Sequence, residues 1–386
     1  MMMAHRHGPI TVILFLLSAP HTMGFSLISG DLSAAIAVTA GYDDNVYRAE
    51  QDEQADQSAN IAPRLDWRLA TRRHVLHFNY EAELIRYRDL TDENTVQHHA
   101  GAGLDLFSSG PCRLILGYTF VQNRTPPNDE LTEPTTRTEQ LAAATLIVRS
   151  SYRLKLKLAL DAGNRHFAEV RLQDQDRDRW AIDGELNILL GSRSAAVAGY
   201  QVTRHDFPDR RDDALNTTTS AGIEFTGSVK LHLRCLAGIE TRKWTGGDRE
   251  TVSDPVYNVL VEYKPHSYQA LRLGFQRRLL DSFYRDNRTY RSDMMYSVFE
   301  HESHWAFIRL HAWYHLNGYT IPTAEEASAM HLRKDHMFGF ETKYKHRIAV
   351  HHFLSAGYVY TSRSSNFAMF DYRENTFFLG WEFQLD

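Results

Sequence analysis

Leu154, Leu156, Leu158, Leu160 and Ala162 alternate with Arg153, Lys155, Lys157 and Asp161, and this two-residue rhythm returns along most of the chain. Val229, Leu231, Leu233, Cys235, Ala237 and Ile239 alternate with Lys230, His232, Arg234 and Glu240. Leu76, Phe78, Tyr80, Ala82 and Leu84 alternate with His77, Asn79, Glu81 and Glu83. Ile182, Leu186 and Ile188 stand against Asp183, Glu185 and Asn187, Leu271 and Leu273 against Arg272, and Ile308, Leu310 and Ala312 against Arg309 and His311. A period of two puts each set on its own face of a strand. Several of these segments, 73–88, 152–168 and 229–243 among them, run about 14 residues or more, whereas globular strands typically run about 5–6. Length and a polar, largely charged second face together predict strands with lipid on one side and water on the other. Backbone groups in lipid must all be paired, so such strands have to close on themselves.

The connectors alternate in size. Short ones are read at Thr71-Arg72, Ser108–Pro111, Ser150-Ser151, Gly191-Ser192, Gly227-Ser228, Pro265-His266, Glu302-Ser303 and Lys345-His346. Longer polar ones are read at Ala49–Asn60, Asp89–Glu93, Asn123–Thr135, Glu169–Asp176, Asp206–Ala214, Trp244–Ser253, Ser282–Arg288, Tyr319–Met330 and Ser362–Asp371. Short turns toward the periplasm and long loops toward the outside are the pattern of outer-membrane barrels. The expected fold is all-β: a closed antiparallel transmembrane barrel of about eighteen strands, with sixteen as the alternative count.

The first residues break the rhythm. His5, Arg6 and His7 precede an apolar run, Ile10–Leu17, which is too short to span a bilayer. Small and polar residues follow to Gly24. Residues 1–24 are expected to be a secretory signal peptide and 25–386 the barrel. At the other end Phe377, Leu379, Trp381, Phe383 and Leu385 share one face. This looks like the terminal strand that the barrel-assembly machinery recognises, although the last residue is Asp386 rather than an aromatic.

Composition narrows the class. Hydrophobic residues are 43% of the chain, a share that suits strands with only one face in lipid. Aromatics are 12%, enough to supply interfacial girdles. A net charge of −5 gives no basic footprint for nucleic acid. Cys112 and Cys235 are too few for a disulfide framework, and Cys235 reads as a small apolar residue on a lipid face.

The water-facing rows supply the candidate pore-lining residues: Arg153, Lys155, Lys157, Lys230, His232, Arg234, Arg272, Arg309 and His311 on the basic side, and Glu81, Glu83 and Glu185 on the acidic side. A basic wall would draw anions through the lumen. Mutual ion pairing across a solvated lumen is the competing reading. Adjacent histidines, His98-His99 and His351-His352, point to opposite faces of a strand, so neither pair is expected to hold a metal. No Gly-x-Ser-x-Gly elbow is present, and no catalytic residue or cofactor is expected.

Two segments carry a family resemblance. They are Ala40-Gly-Tyr-Asp-Asp-Asn-Val-Tyr-Arg48 near the start, and Gly357-Tyr-Val-Tyr360, Ser362-Arg-Ser-Ser-Asn366 and Asp371-Tyr-Arg-Glu-Asn375 near the end. Both resemble the outer-membrane β-barrel porin family found beside exopolysaccharide and capsule biosynthesis genes in Gram-negative bacteria. The resemblance implies a passive conduit for polysaccharide export, with a periplasmic export protein as partner. Two alternatives stand beside it: a general diffusion porin for small anionic solutes, and an outer-membrane enzyme or adhesin. The remaining expected partners are outer-membrane lipid, the assembly machinery, and a polysaccharide or small solute in the lumen.

Overall fold

A computed structural model describes residues 30–125, 134–150, 153–208, 213–245, 251–282, 289–319 and 332–385. The expected leader lies outside the described residues. The chain forms eighteen strands: β1 (Asp31–Asp43), β2 (Asp56–Ala70), β3 (His74–Tyr87), β4 (Thr95–Leu106), β5 (Cys112–Thr125), β6 (Thr135–Arg149), β7 (Leu154–Phe167), β8 (Arg177–Leu189), β9 (Ser194–Asp206), β10 (Ala214–Ser228), β11 (Leu231–Trp244), β12 (Thr251–Tyr263), β13 (Gln269–Asp281), β14 (Thr289–Glu302), β15 (Ala306–Tyr319), β16 (Lys334–Ala349), β17 (His352–Ser365) and β18 (Tyr372–Leu385). Each strand is antiparallel to the next, and β18 pairs with β1 from Ala34↔Leu385 to Asp43↔Thr376. The sheet therefore closes on itself, and the backbone groups along the β1–β18 seam are paired. Among the described residues no helix is long and apolar enough to cross a membrane. The crossing is made by strands.

The strands hold 12 to 16 residues. About 9–11 tilted residues cross the hydrocarbon, so the wall continues beyond it. Register keeps the faces in phase around the barrel. Leu160 stands opposite Ile182 and Lys157 opposite Glu185 between β7 and β8, while Leu146 stands opposite Leu158 between β6 and β7. The apolar rows lie outside and are left uncovered by protein: Leu160 is 54% exposed and Leu379 69%. Trp180 and Tyr42 lie on this face toward the long-loop end, with Tyr263, Tyr344 and Trp381 toward the short-turn end. They sit where headgroup-level aromatics are favoured. Lipid takes the place of a hydrophobic core. Among the described residues the buried apolar clusters are small: Phe167 with Leu172, and Phe207, Ala214 and Trp244 with Val252. Gly222 and Gly238 allow β10 and β11 to coil tightly, since a Cβ there would come 1.8 Å from the Cys235 carbonyl oxygen and 2.0 Å from that of Thr219.

The two segments that carried the family resemblance meet at this seam. Asp44 accepts hydrogen bonds from the Asn375 backbone N–H (2.6 Å) and from its side-chain Nδ2 (2.7 Å). Asn45 is fully buried, and its Nδ2 donates to the carbonyls of Ala49 and Arg373, both at 2.8 Å. Arg48, held at φ 51°, pairs with Glu374 at 2.9 Å. Residues more than three hundred positions apart thus stitch the first and last strands at the long-loop rim.

Several connector boundaries differ from the expectation, among them the last long one, which begins only after Ser365 because β17 runs that far. The chain turns at Val229-Lys230, not at Gly227-Ser228, because a bulge between Thr226 and Ser228 carries β10 further. The last turn falls after Ala349 rather than at Lys345-His346, again with a bulge, between Arg347 and Ala349. Lys345 reaches Glu382 on the inside at 3.0 Å, while His346 lies beside the Tyr344 hydroxyl at 3.2 Å. Both residues are polar, yet each belongs to its own face. The first long connector is shifted as well, since β2 already begins at Asp56. Cys112 and Cys235 are both free thiols.

The facing predicts the outcome of one substitution. Leu158→Arg places a charge on the lipid face, at a cost of about 2–4 kcal/mol near the midplane. The variant should lose the heat-modifiable band of the folded barrel on electrophoresis. A normal band would show that Leu158 does not face lipid.

Candidate functional site

The inner wall is built from the polar positions of the period-two rows. Its direction is fixed by ion pairs between strands that are not neighbours. Arg177 on β8 pairs with Asp281 on β13, five strands away. At about 4.8 Å per strand these residues are some 24 Å apart along the wall, so the contact runs through the interior.

Most of the expected lining residues lie on this inner face, and carboxylates interleave with the cations. Arg234 bridges Glu185 on β8 and Glu224 on β10, the latter at 3.3 Å. His232 lies 3.1 Å from the same Glu224. Arg272 joins Glu262 at 3.3 Å and Glu300 at 2.8 Å. His311 faces Glu341 at 3.7 Å, and Arg309 stands in register between Glu300 and Lys343. Glu81 is held by Arg64 at 2.7 Å, and Glu83 accepts a hydrogen bond from Asn60. Lys155 and Lys157 project from the same face of β7, opposite Asn187 and Glu185. Two expected wall residues are placed elsewhere. Lys230 is in the β10–β11 turn, because the bulge delays that turn. Arg153 precedes β7 at the short-turn rim, where its carbonyl accepts the Leu189 N–H at 2.8 Å.

The strongest departure from a plain cylinder is at the long-loop end of β13. This strand pairs with β12 only from Leu271 to Arg277. From Arg278 to Asp281 it stays paired with β14 but leaves β12 and leans inward. The wall then holds the inturned end. Asp281 pairs with Arg242 at 2.5 Å as well as with Arg177. Arg242 also donates to the Leu279 carbonyl at 3.4 Å, and the Leu279 N–H donates to Glu240 at 3.3 Å. The Arg242 side chain is only 4% exposed. Ser282, Thr289, Tyr290 and Ser292, which continue this hairpin, are all buried. A cavity of about 490 Å³ remains between the inturned end and β8–β12, lined by Asp183, Gln201, Asn216, Asn258 and Gln276 together with the ion-paired groups.

Asp281 and Arg177 were not among the residues expected from sequence. Arg177 continues the Lys155–Lys157–Asp161 row through its partner Arg165 and was open to the same reading. Asp281 was not, because strict alternation from Arg272 puts it on the outer face, and only the bend returns it to the lumen.

A closed, lipid-facing barrel with a charged interior narrowed by its own strand end is the architecture of an outer-membrane porin. The chain belongs to the family described as Putative beta-barrel porin 2, whose model matches residues 31–385. It is accordingly a protein of the bacterial outer membrane. Among solved structures it is similar to Pseudomonas aeruginosa OccK3 (OpdO), with 13% identity, a TM-score of 0.50, and 92% of this chain and 96% of that one covered. It is similar in the same degree to Pseudomonas aeruginosa OccK1 (OpdK), at 10% identity and a TM-score of 0.50, with 92% and 99% covered. The FrpB iron transporter of Neisseria meningitidis matches at 9% identity and a TM-score of 0.47, and this chain spans only 62% of its length. At these identities the likeness is one of fold. No curated protein sequence is similar to this chain.

The inturned end gives a test. Asp281→Ala leaves Arg177 and Arg242 in place without their shared carboxylate, and such a loss costs about 3–5 kcal/mol when the charges stay buried. The end of β13 should swing outward instead. Single-channel recordings should then show larger and noisier open steps than the wild type. Identical conductance would mean that the inturned end does not limit the lumen.

Proposed function

We propose that the protein is a passive channel for small polar solutes, open without a partner. The observation that supports this most is the inturned end of β13, held across the lumen by Arg177 and Arg242. It leaves a space of solute size against one wall, within the range of about 300–1,000 Å³ typical of small-molecule sites. A second space of about 790 Å³ opens at the short-turn end beside Arg64, Glu81, Lys345 and Glu382. A polymer in export needs a clear bore along its whole contour, and a fixed bar across the lumen works against that. Polysaccharide export therefore rests on the family resemblance alone, while the diffusion reading has the shape of the lumen behind it.

The wall chemistry suits hydrated solutes of either charge. Alternating carboxylates and guanidinium groups offer hydrogen bonds to solutes of either charge. Conduction needs sites strong enough to admit a solute and weak enough to release it. Glu81, Glu83, Glu185, Lys155, Lys157, His232, Arg234, Arg272, Arg309 and His311 are assigned this lining role.

Purified, refolded barrel in a planar bilayer, with no second protein, should give steady ohmic steps in potassium chloride. Silence that ends only on adding a periplasmic export partner would refute the proposal.

A further inference from the structure

Among the described residues many cations on the inner wall are paired with carboxylates, as at Arg64, Arg234 and Arg272, whereas several at the short-turn end are not. At the short-turn end, where β6, β7, β8, β9 and β10 converge, Arg149, Arg153, Lys155 and Arg193 line a cavity of about 290 Å³ together with Asn187 and Glu224. Glu224 is the one carboxylate there, and it is already engaged by His232 and Arg234. Among the described residues Arg149, Lys155 and Arg193 form no ion pair. The short-turn end is not uniformly cationic: on the neighbouring turn Arg113 is taken by Asp105 at 2.5 Å. Arg149, Arg153 and Arg193 are exposed at the rim, and Lys155 is half-buried. Arg193 is anchored by donating from Nη1 to the Gly227 carbonyl at 2.8 Å, and Lys155 is fixed in register opposite Asn187. Lys155 also shares the inner face with Lys157 and Asp161, so the pocket opens to the lumen and not to lipid.

We infer that this pocket is a binding site for a small soluble polyanion carrying phosphate or carboxylate groups. The inference rests on the channel reading and names the solute class that it would serve. Converging cations repel one another until an anion joins them, and guanidinium forks present paired donors that fit phosphate and carboxylate oxygens. A single negative charge would leave two of the three unpaired cations, Arg149, Lys155 and Arg193, unmatched, so a polyanion fits better than chloride. The volume admits a few heavy-atom groups and not a polymer segment of several sugars. Placed at the inner mouth, such a site raises the local concentration of the solute where it enters or leaves the lumen. The Glu224–Arg234–Glu185 network links the pocket to the upper cavity, since Glu224 borders the one and Glu185 the other.

The test uses the full refolded barrel and inorganic pyrophosphate as probe, titrated calorimetrically in detergent, where no conduction is needed. Wild type should bind it, and the Arg149→Ser/Arg193→Ser double variant should bind roughly tenfold more weakly or worse, since two charge-assisted donors are lost. Lys343→Ser, a charge change on the opposite wall, should leave the affinity unchanged. No binding by wild type, or equal loss in both variants, overturns the site. Potassium chloride conductance, measured separately, tells the two readings apart. A conducting barrel that does not bind pyrophosphate defeats the site alone, and a silent barrel that binds it defeats the channel alone. Repeating the titration in phosphatidylcholine and phosphatidylglycerol nanodiscs separates sources. Equal affinity supports a soluble ligand, and loss of binding in the anionic lipid would assign the pocket to a headgroup and overturn the inference.

Discussion

Every backbone N–H and C=O that meets hydrocarbon must find a partner inside the protein. In this chain that requirement shapes everything else. It selects strands that close, and closure needs the first and last strands to meet in register. A two-residue period then follows, because each strand separates lipid from water. The residues at the seam are also explained. Asp44, Asn45, Arg48, Glu374 and Asn375 are distant in sequence and recur in the resemblance because closure brings them together and their polar groups satisfy one another.

With lipid taking the apolar side chains, specificity falls to the interior. A soluble protein buries its hydrophobic residues and sends its charges to solvent. Here the charges point inward and form a lattice across the strands, in which Arg234, Arg272 and Glu224 each serve two partners. Exposed ion pairs contribute little individually. Where they are screened from water, as at Arg242 and Asp281, breaking one side is costly. This difference lets the same chemistry serve as a solvated wall at one level and as a clasp at another.

Much of the fold could be read from the sequence because the alternation of Leu154–Ala162 or Leu76–Leu84 is local and unbroken. The strand count, the lipid face and the outer-membrane location all follow from it. Boundaries were less legible where a bulge inserts a residue without changing composition, as at Thr226–Ser228 and Arg347–Ala349. That is why Lys230 was read as a wall residue and lies in a turn. The clasp was not legible at all. Parity places Asp281 outside, and its inward turn depends on β13 parting from β12, a property of three strands together. The charge balance of the wall was half legible: both signs were visible, but which cation meets which carboxylate depends on register between strands far apart in sequence.

On the proposed reading small solutes pass and polymers do not, because the inturned strand end narrows the lumen. Swelling of liposomes carrying the refolded protein, in neutral sugars of increasing size, tests it most directly. The account predicts fast swelling with monosaccharides and a steep fall within a few sugar units. Equal rates for monosaccharides and long oligosaccharides, or no swelling with any sugar, would contradict it.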